Sequence, residues 1–267
     1  MNKSQQDRVR QAVRQTYAEI ARRGEAGCAC APSSCYTGNQ PASSREVSQR
    51  LGYSPAELRS VPESANLGLG CGNPQPIAAL KPGETVVDLG SGAGLDCFLA
   101  AKQVGDAGLA IGVDMTPEMI AKARDNASRA GCSNVDFRLG EIEHLPIADG
   151  VADVILSNCV INLSPDKPSV YREAYRVLRP GGRLAISDVV ALAPLSEEVR
   201  GNLSLLSGCV SGAATIGELE DTLRAIGFHD IRIQAIEASR ELIHEWAPGS
   251  NLAEYVRSAT IEATKPR

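Results

Sequence analysis

The sequence predicts an α/β chain built on a doubly wound parallel sheet, and three observations carry that prediction. Short β-branched runs recur near 85–88, 109–113, 134–139, 151–157 and 182–187, and helical stretches near 95–103, 117–130 and 167–178 separate them. Alternation at such intervals leaves room only for right-handed crossovers between parallel strands. The first strand runs into a turn containing Gly90, Gly92 and Gly94, where the missing Cβ atoms let backbone turn tightly and approach a ligand. Asp114 then closes the second strand, twenty residues after Gly94, where a carboxylate can accept both hydroxyls of a ribose. This spacing suits a dinucleotide and S-adenosylmethionine equally, and a glycine triad by itself is also compatible with a plain βα turn.

The elements follow in order. Residues 5–23 read as an amphipathic helix with Val9, Val13, Tyr17 and Ile20 on one stripe and arginines off it. From Gly24 to Ser44 the composition turns to Gly, Ala, Ser, Pro and Cys without periodicity, a loop that carries Cys28, Cys30 and Cys35. Ser54 to Glu57 has capping-box spacing, and Asn66 to Pro76 is a second Gly/Pro-rich loop. Thr116-Pro117 offers an N-cap and a proline at the first helical position. After the fifth strand come a helix near 217–226, a strand near 230–237 and a β-branched segment near 255–264. The expected division is a cap over 1–74, a nucleoside-binding core over 75–190 and a closing part over 191–267.

Composition excludes several functions. The 267 residues carry a formal charge of -5 with only three Phe, one Trp and six Tyr, so neither attraction to phosphates nor base stacking is available and a nucleic-acid partner is not expected. There is no apolar stretch of about 18 residues for a bilayer and no secretory pattern at the start, which predicts a cytoplasmic protein without a membrane partner. Eight cysteines in such a compartment call for packing, metal binding or redox chemistry rather than permanent disulfides. The C-x-C-x4-C pattern at Cys28, Cys30 and Cys35 lacks the paired spacing of a zinc ribbon, and no structural metal is expected.

Three further segments select the cofactor. Gly140 to Ile147 follows the third strand, Ser157 to Leu163 ends the fourth, and Tyr175 to Leu184 leads into the fifth. Together with the glycine turn they resemble the Class I S-adenosylmethionine-dependent methyltransferases, whose fold is a Rossmann-like, mostly parallel seven-stranded sheet. The resemblance implies that Asp88, Gly90, Ser91, Gly92 and Gly94 cradle the methionine portion and that Asp114 takes the ribose. It places Gly140, Glu141 and Ile142 by the adenine, Met115 on the adenine ring or in the core beside it, and Asn158 at the end of the fourth strand. His144 reads as a structural or adenine-side residue rather than a base.

The cysteines narrow the resemblance. Asn66 to Pro74, Ser157 to Lys167 and Leu206 to Ala213 are similar to the arsenite methyltransferases. That likeness implies Cys71, Cys159 and Cys209 as arsenic or redox cysteines, with Cys159 and Cys209 as the lasting ligands. One of Cys28, Cys30 and Cys35 would serve as the N-terminal member, and the spacing does not choose among them. It also implies S-adenosylmethionine as donor and thioredoxin or glutathione as reductant of a disulfide formed during turnover. Soft trivalent arsenic binds thiolates in a pyramid with its lone pair free, so no general base is needed, and the site is expected to lower the thiol pKa values. Cys97 and Cys132 read as packing or incidental residues. The alternatives are a methyltransferase for another small molecule and a thiol protein that sequesters arsenic or zinc without turnover.

Overall fold

A computed structural model describes residues 2–23, 43–200, 210–246 and 251–267. Seven strands, β1 (Thr85–Leu89), β2 (Leu109–Asp114), β3 (Val135–Leu139), β4 (Ala152–Asn158), β5 (Leu178–Ala191), β6 (His229–Ala235) and β7 (Val256–Thr264), form one open sheet in the order β3-β2-β1-β4-β5-β7-β6. The first five are parallel, and β7 runs antiparallel between β5 and β6.

Period-2 alternation explains why this sheet is covered on both sides. On β1, Val87 and Leu89 face a cluster with Ile155, Tyr171, Leu184 and Phe228, whereas Val86 faces Phe98, Leu99, Val154 and Leu156 on the other side. Each fully buried side chain of this size contributes about 1.5–3 kcal/mol. The helices α5 (Leu95–Val104), α6 (Pro117–Ala130) and α7 (Lys167–Val177) follow β1, β2 and β4, as the alternation predicts. Among the described residues, four α-helices precede the sheet: α1 (Lys3–Arg23), α2 (Ser44–Arg50), α3 (Pro55–Arg59) and α4 (Gln75–Ala78). Ser54 caps α3 with the expected reciprocal bonds to Glu57.

Two details differ from the sequence reading. Thr116 occupies the N-cap of α6, but its side chain makes no cap bond; its N–H instead donates to Asp114 Oδ1 at 2.8 Å. Strand β5 extends well beyond 182–187, because β7 pairs with it from Arg183 through Ala191. The added C-terminal residues of β5 carry part of the site. There Val189, Ala191 and Val256 join Val13, Cys71 and Cys159 in a third apolar cluster at the end of the sheet.

Candidate active site

Strand order reverses between β1 and β4, and a cleft opens beyond the carboxyl ends of the strands at that switch, where open α/β sheets bind their ligands. Its walls include Asp88, Gly90, Ser91 and Gly92 after β1, Asp114 and Met115 after β2, Ile142 after β3, and Asn158 and Cys159 after β4. Helix α1 closes one side with Arg10, Val13 and Tyr17.

One half of the cleft is acidic. Asp114 is fixed by backbone N–H groups of Gly92 at 3.0 Å and Thr116 at 2.8 Å, and burial pushes its pKa up in spite of them. Asp88 is 3 % exposed; the Cys97 thiol donates to it at 3.5 Å, and burial, then the nearby Asp96, push its pKa well above the carboxylate range. Asp96 accepts the Tyr53 hydroxyl at 2.9 Å and Gln75 Nε2 at 3.0 Å, and it too is raised by burial. The cleft's two arginines face other carboxylates: Arg10 lies 3.4 Å from both Glu141 and Glu143, and Arg50 pairs with Glu245 at 2.7 Å. Buried carboxylates of this kind want a cation or hydroxyl donors. The Ser91 hydroxyl, buried in the same wall, has no hydrogen-bond partner among the described residues. A ligand combining an ammonium, a sulfonium and ribose hydroxyls matches this donor set, and S-adenosylmethionine is such a ligand.

The other half is built of sulfur. Cys71 is held by Asn158, whose Oδ1 accepts its N–H at 3.1 Å while Nδ2 donates to Gly72 O at 2.8 Å. Gly70 must be glycine there, with φ +125° and a would-be Cβ 2.8 Å from the Asn158 amide. Cys159 sits in the left-handed region at φ 59°, its N–H donating to Ser187 O at 2.8 Å. The turn after it is pinned by Asp188, which accepts the N–H of Ile161 at 3.0 Å and Asn162 Nδ2 at 2.9 Å. One ligand atom each from Cys71, Cys159 and Asp188 lie within 4.8 Å of one another, all three residues buried.

The expectation of lowered thiol pKa values does not hold at Cys71. Burial raises its pKa, and the charge that acts on the thiol, Asp188, is negative and raises it further. Burial likewise pushes Asp188 up to about 6. The free site therefore sets a Cys71 thiol of raised pKa beside Cys159 and the Asp188 carboxyl group.

Four residues expected at the site are not among those lining the cleft. Gly94 has φ +100° and packs where a Cβ would come within 2.8 Å of Phe98 and Phe137. Gly140 donates its N–H to Asp114 O at 3.0 Å and lies against Pro146, behind the wall. The Glu141 carboxylate reaches outward to Arg10 and Arg14, clamping α1. Cys71 is 3 % exposed and reaches the site only through its neighbour Cys159, which lines the cleft. His144 is exposed and off the cleft, Cys97 is buried on α5, and Cys132 is half-buried. Cys28, Cys30, Cys35 and Cys209 lie outside the described residues. Sequence reasoning missed Tyr53, Asp96 and Asp188; of these only Asp188 carried a signal, a lone acid inside an apolar β-branched run.

Sheet order, switch-point cleft and acid-ended β2 together define a Rossmann-like class I S-adenosylmethionine-dependent methyltransferase. The profile of a family described as methyltransferase domain matches residues 80–241. The arsenite methyltransferase of Halobacterium salinarum is 50 % identical over 266 residues, covering 97 % of this chain and 67 % of its own length. The human arsenite methyltransferase is 41 % identical over 152 residues, which are 54 % of this chain and 40 % of the human protein. The crystal structure of CrArsM, an arsenic(III) S-adenosylmethionine methyltransferase from Chlamydomonas reinhardtii, superposes with a TM-score of 0.61 at 35 % identity over 85 % of this chain and 75 % of that one. The chain belongs to the arsenite methyltransferases within that class. It spans from two fifths to two thirds of the length of these two curated relatives. Among the described residues, no helix is long and apolar enough to cross a membrane.

Proposed function

We propose that this chain methylates trivalent arsenic held on its own cysteines, and the observation that carries the reading is the sulfur pair Cys71 and Cys159 with Asp188 at the end of the acidic cleft. Bound in that cleft, S-adenosylmethionine supplies an electrophilic methyl group on a sulfonium. Asp114 takes the ribose hydroxyls, while Gly90, Ser91, Gly92 and the buried Asp88 hold the methionine portion. Met115 and Ile142 flank the adenine. Gly94, Gly140 and Glu141 shape this half from behind, and Asn158 anchors the junction of the two halves.

Cys71, Cys159 and Cys209 bind arsenite by exchange. Each S–H proton leaves with one arsenic-bound hydroxide as water, so neutral thiols suffice and no outside base is required. This balance makes the raised pKa of Cys71 compatible with ligation. The product is a neutral trithiolate pyramid with the arsenic lone pair unused. Cys159, at the end of β4 and in the cleft wall, sets the pyramid against the donor; aligned reacting atoms about 3–3.5 Å apart remove most of the entropic barrier. The arsenic lone pair forms the new As–C bond as the S–C bond breaks, and positive charge passes from sulfur to arsenic. The free thiol of the N-terminal cysteine, one of Cys28, Cys30 and Cys35, then attacks an arsenic-bound sulfur. The S–S bond forms as that As–S bond breaks, the As–S electron pair returns to arsenic and makes it trivalent and neutral on two thiolates, and the thiol proton leaves to water. Thioredoxin or glutathione reduces that disulfide, which suits a cytoplasmic, reducing setting.

The test is arsenic speciation by the full chain with each cysteine replaced in turn. Cys159→Ser and Cys209→Ser are each expected to abolish arsenite-dependent formation of methylarsenicals and of S-adenosylhomocysteine. Full arsenite methylation by both variants would overturn the reading.

A further inference from the structure

The hydroxyl of Tyr53 joins the two halves of the cleft. Its ring is 2 % exposed and is not among the residues lining the cleft, so it touches neither ligand directly. The hydroxyl donates to Asp96, whose two oxygens both lie 2.9 Å away, and accepts from Asn158 Nδ2 at 2.9 Å. Asn158 in turn holds the Cys71 N–H and Gly72 O. An unbroken run of hydrogen bonds thus leads from a carboxylate of the acidic wall to the backbone that carries a thiol. Gln75 grips the same Asp96 from off this route, with Nε2 at 3.0 Å from the carboxylate and 3.1 Å from its main-chain oxygen.

We infer that Tyr53 is a positioning residue that couples occupancy of the donor cleft to the placement of Cys71, with Asp96 as the donor-side contact and Asn158 as the arm that moves or holds the thiol loop. The inference rests on the donor reading of the cleft given above. A cation set against Asp96 draws its negative charge and changes what the Tyr53 hydroxyl meets. That hydroxyl fixes the orientation of the Asn158 amide, and the amide fixes residues 71 and 72. A Cβ at Gly70 would lie 2.8 Å from the same amide, so the loop has little room to ignore a shift there. Coupling between sites is reciprocal, so arsenic on Cys71 tightens or loosens the donor by the factor with which the donor acts on arsenic.

The experiment measures alkylation of Cys71 by iodoacetamide in the full chain, read by peptide mass spectrometry. It is run with and without sinefungin, a donor analogue with an amine in place of the methylsulfonium, at tenfold over each variant's own calorimetric dissociation constant. In the unsubstituted protein the analogue is expected to change the Cys71 rate about tenfold, a typical coupling. In Tyr53→Phe the change falls to under twofold while the analogue still binds. In Gln75→Met, which disturbs Asp96 equally but off the route, the tenfold change persists. An undiminished change in Tyr53→Phe, or one lost as completely in Gln75→Met, overturns the inference. Should Tyr53→Phe not fold, Asp96→Asn, saturated in the same way, decides: loss of the analogue's effect on Cys71 supports the coupling, and an undiminished effect overturns it. An analogue that fails to bind the unsubstituted protein sinks the donor reading instead, whereas one that binds without altering Cys71 sinks only the coupling.

Discussion

The two halves of the cleft are assembled by opposite strategies. The acidic half comes from one βαβ unit, with Asp88, Ser91, Asp96 and Asp114 placed by β1, α5 and β2. The sulfur half draws Cys71 from a loop before the sheet, Cys159 from the end of β4 and Asp188 from β5. The first offers buried carboxylates that call for a cation, and the second offers sulfur that calls for a soft centre. Each half discriminates by a different chemistry, and their separability is what experiments can attack.

The largest expected effect is from Cys159→Ser, which should lower arsenite methylation by a thousandfold or more while leaving S-adenosylmethionine affinity within about twofold by calorimetry. A large loss of donor affinity would break the division. The complementary change, Asp114→Ala, removes a charged acceptor worth about 3 kcal/mol, so donor affinity should fall about a hundredfold with arsenite binding little changed. Gly94→Ala forces a Cβ against Phe98 and Phe137 at a left-handed backbone position, and thermal melts should show about 4 kcal/mol of destabilisation.

Asp188 tests the sulfur half through pH. Its folded-state pKa is raised from 3.8 to about 6, so the folded chain binds a proton more tightly than the unfolded one. The stability this provides is present below about 4 and is lost as pH rises through about 6, on the order of 3 kcal/mol in the arsenic-free protein. Asp188→Asn should flatten that slope in melts run from pH 4 to 7. The smallest effect expected is from Ser54→Ala, which removes the α3 cap next to Tyr53 and should cost about 1 kcal/mol by denaturant titration.

The same contrast explains what could be read from the sequence. Strands β1, β2 and β4 and helices α5 to α7 were legible because each is decided by local periodicity, glycines and prolines. Asp88, Ser91, Gly92 and Asp114 were legible for the same reason, being strand-end residues of one unit. The length of β5 was not, since Asp188 to Ala191 joins the strand only when β7 is laid beside it. Tyr53 and Asp96 stand 43 positions apart, and no local pattern announces their bond. The thiols were recognisable as a set only through family likeness; the proximity of Cys71 and Cys159 is a tertiary fact, and so is the carboxylate of Asp188 that raises the Cys71 pKa.

Cys159 occupies a main-chain conformation in which glycine is at ease and any side chain is crowded. Trimming it to alanine keeps the crowding, whereas trimming it to glycine relieves it, so the glycine variant should melt higher than the alanine variant although both are sulfur-free. On the proposed reading, Cys159 presents its sulfur to the cleft at a cost in main-chain ease that glycine would not bear.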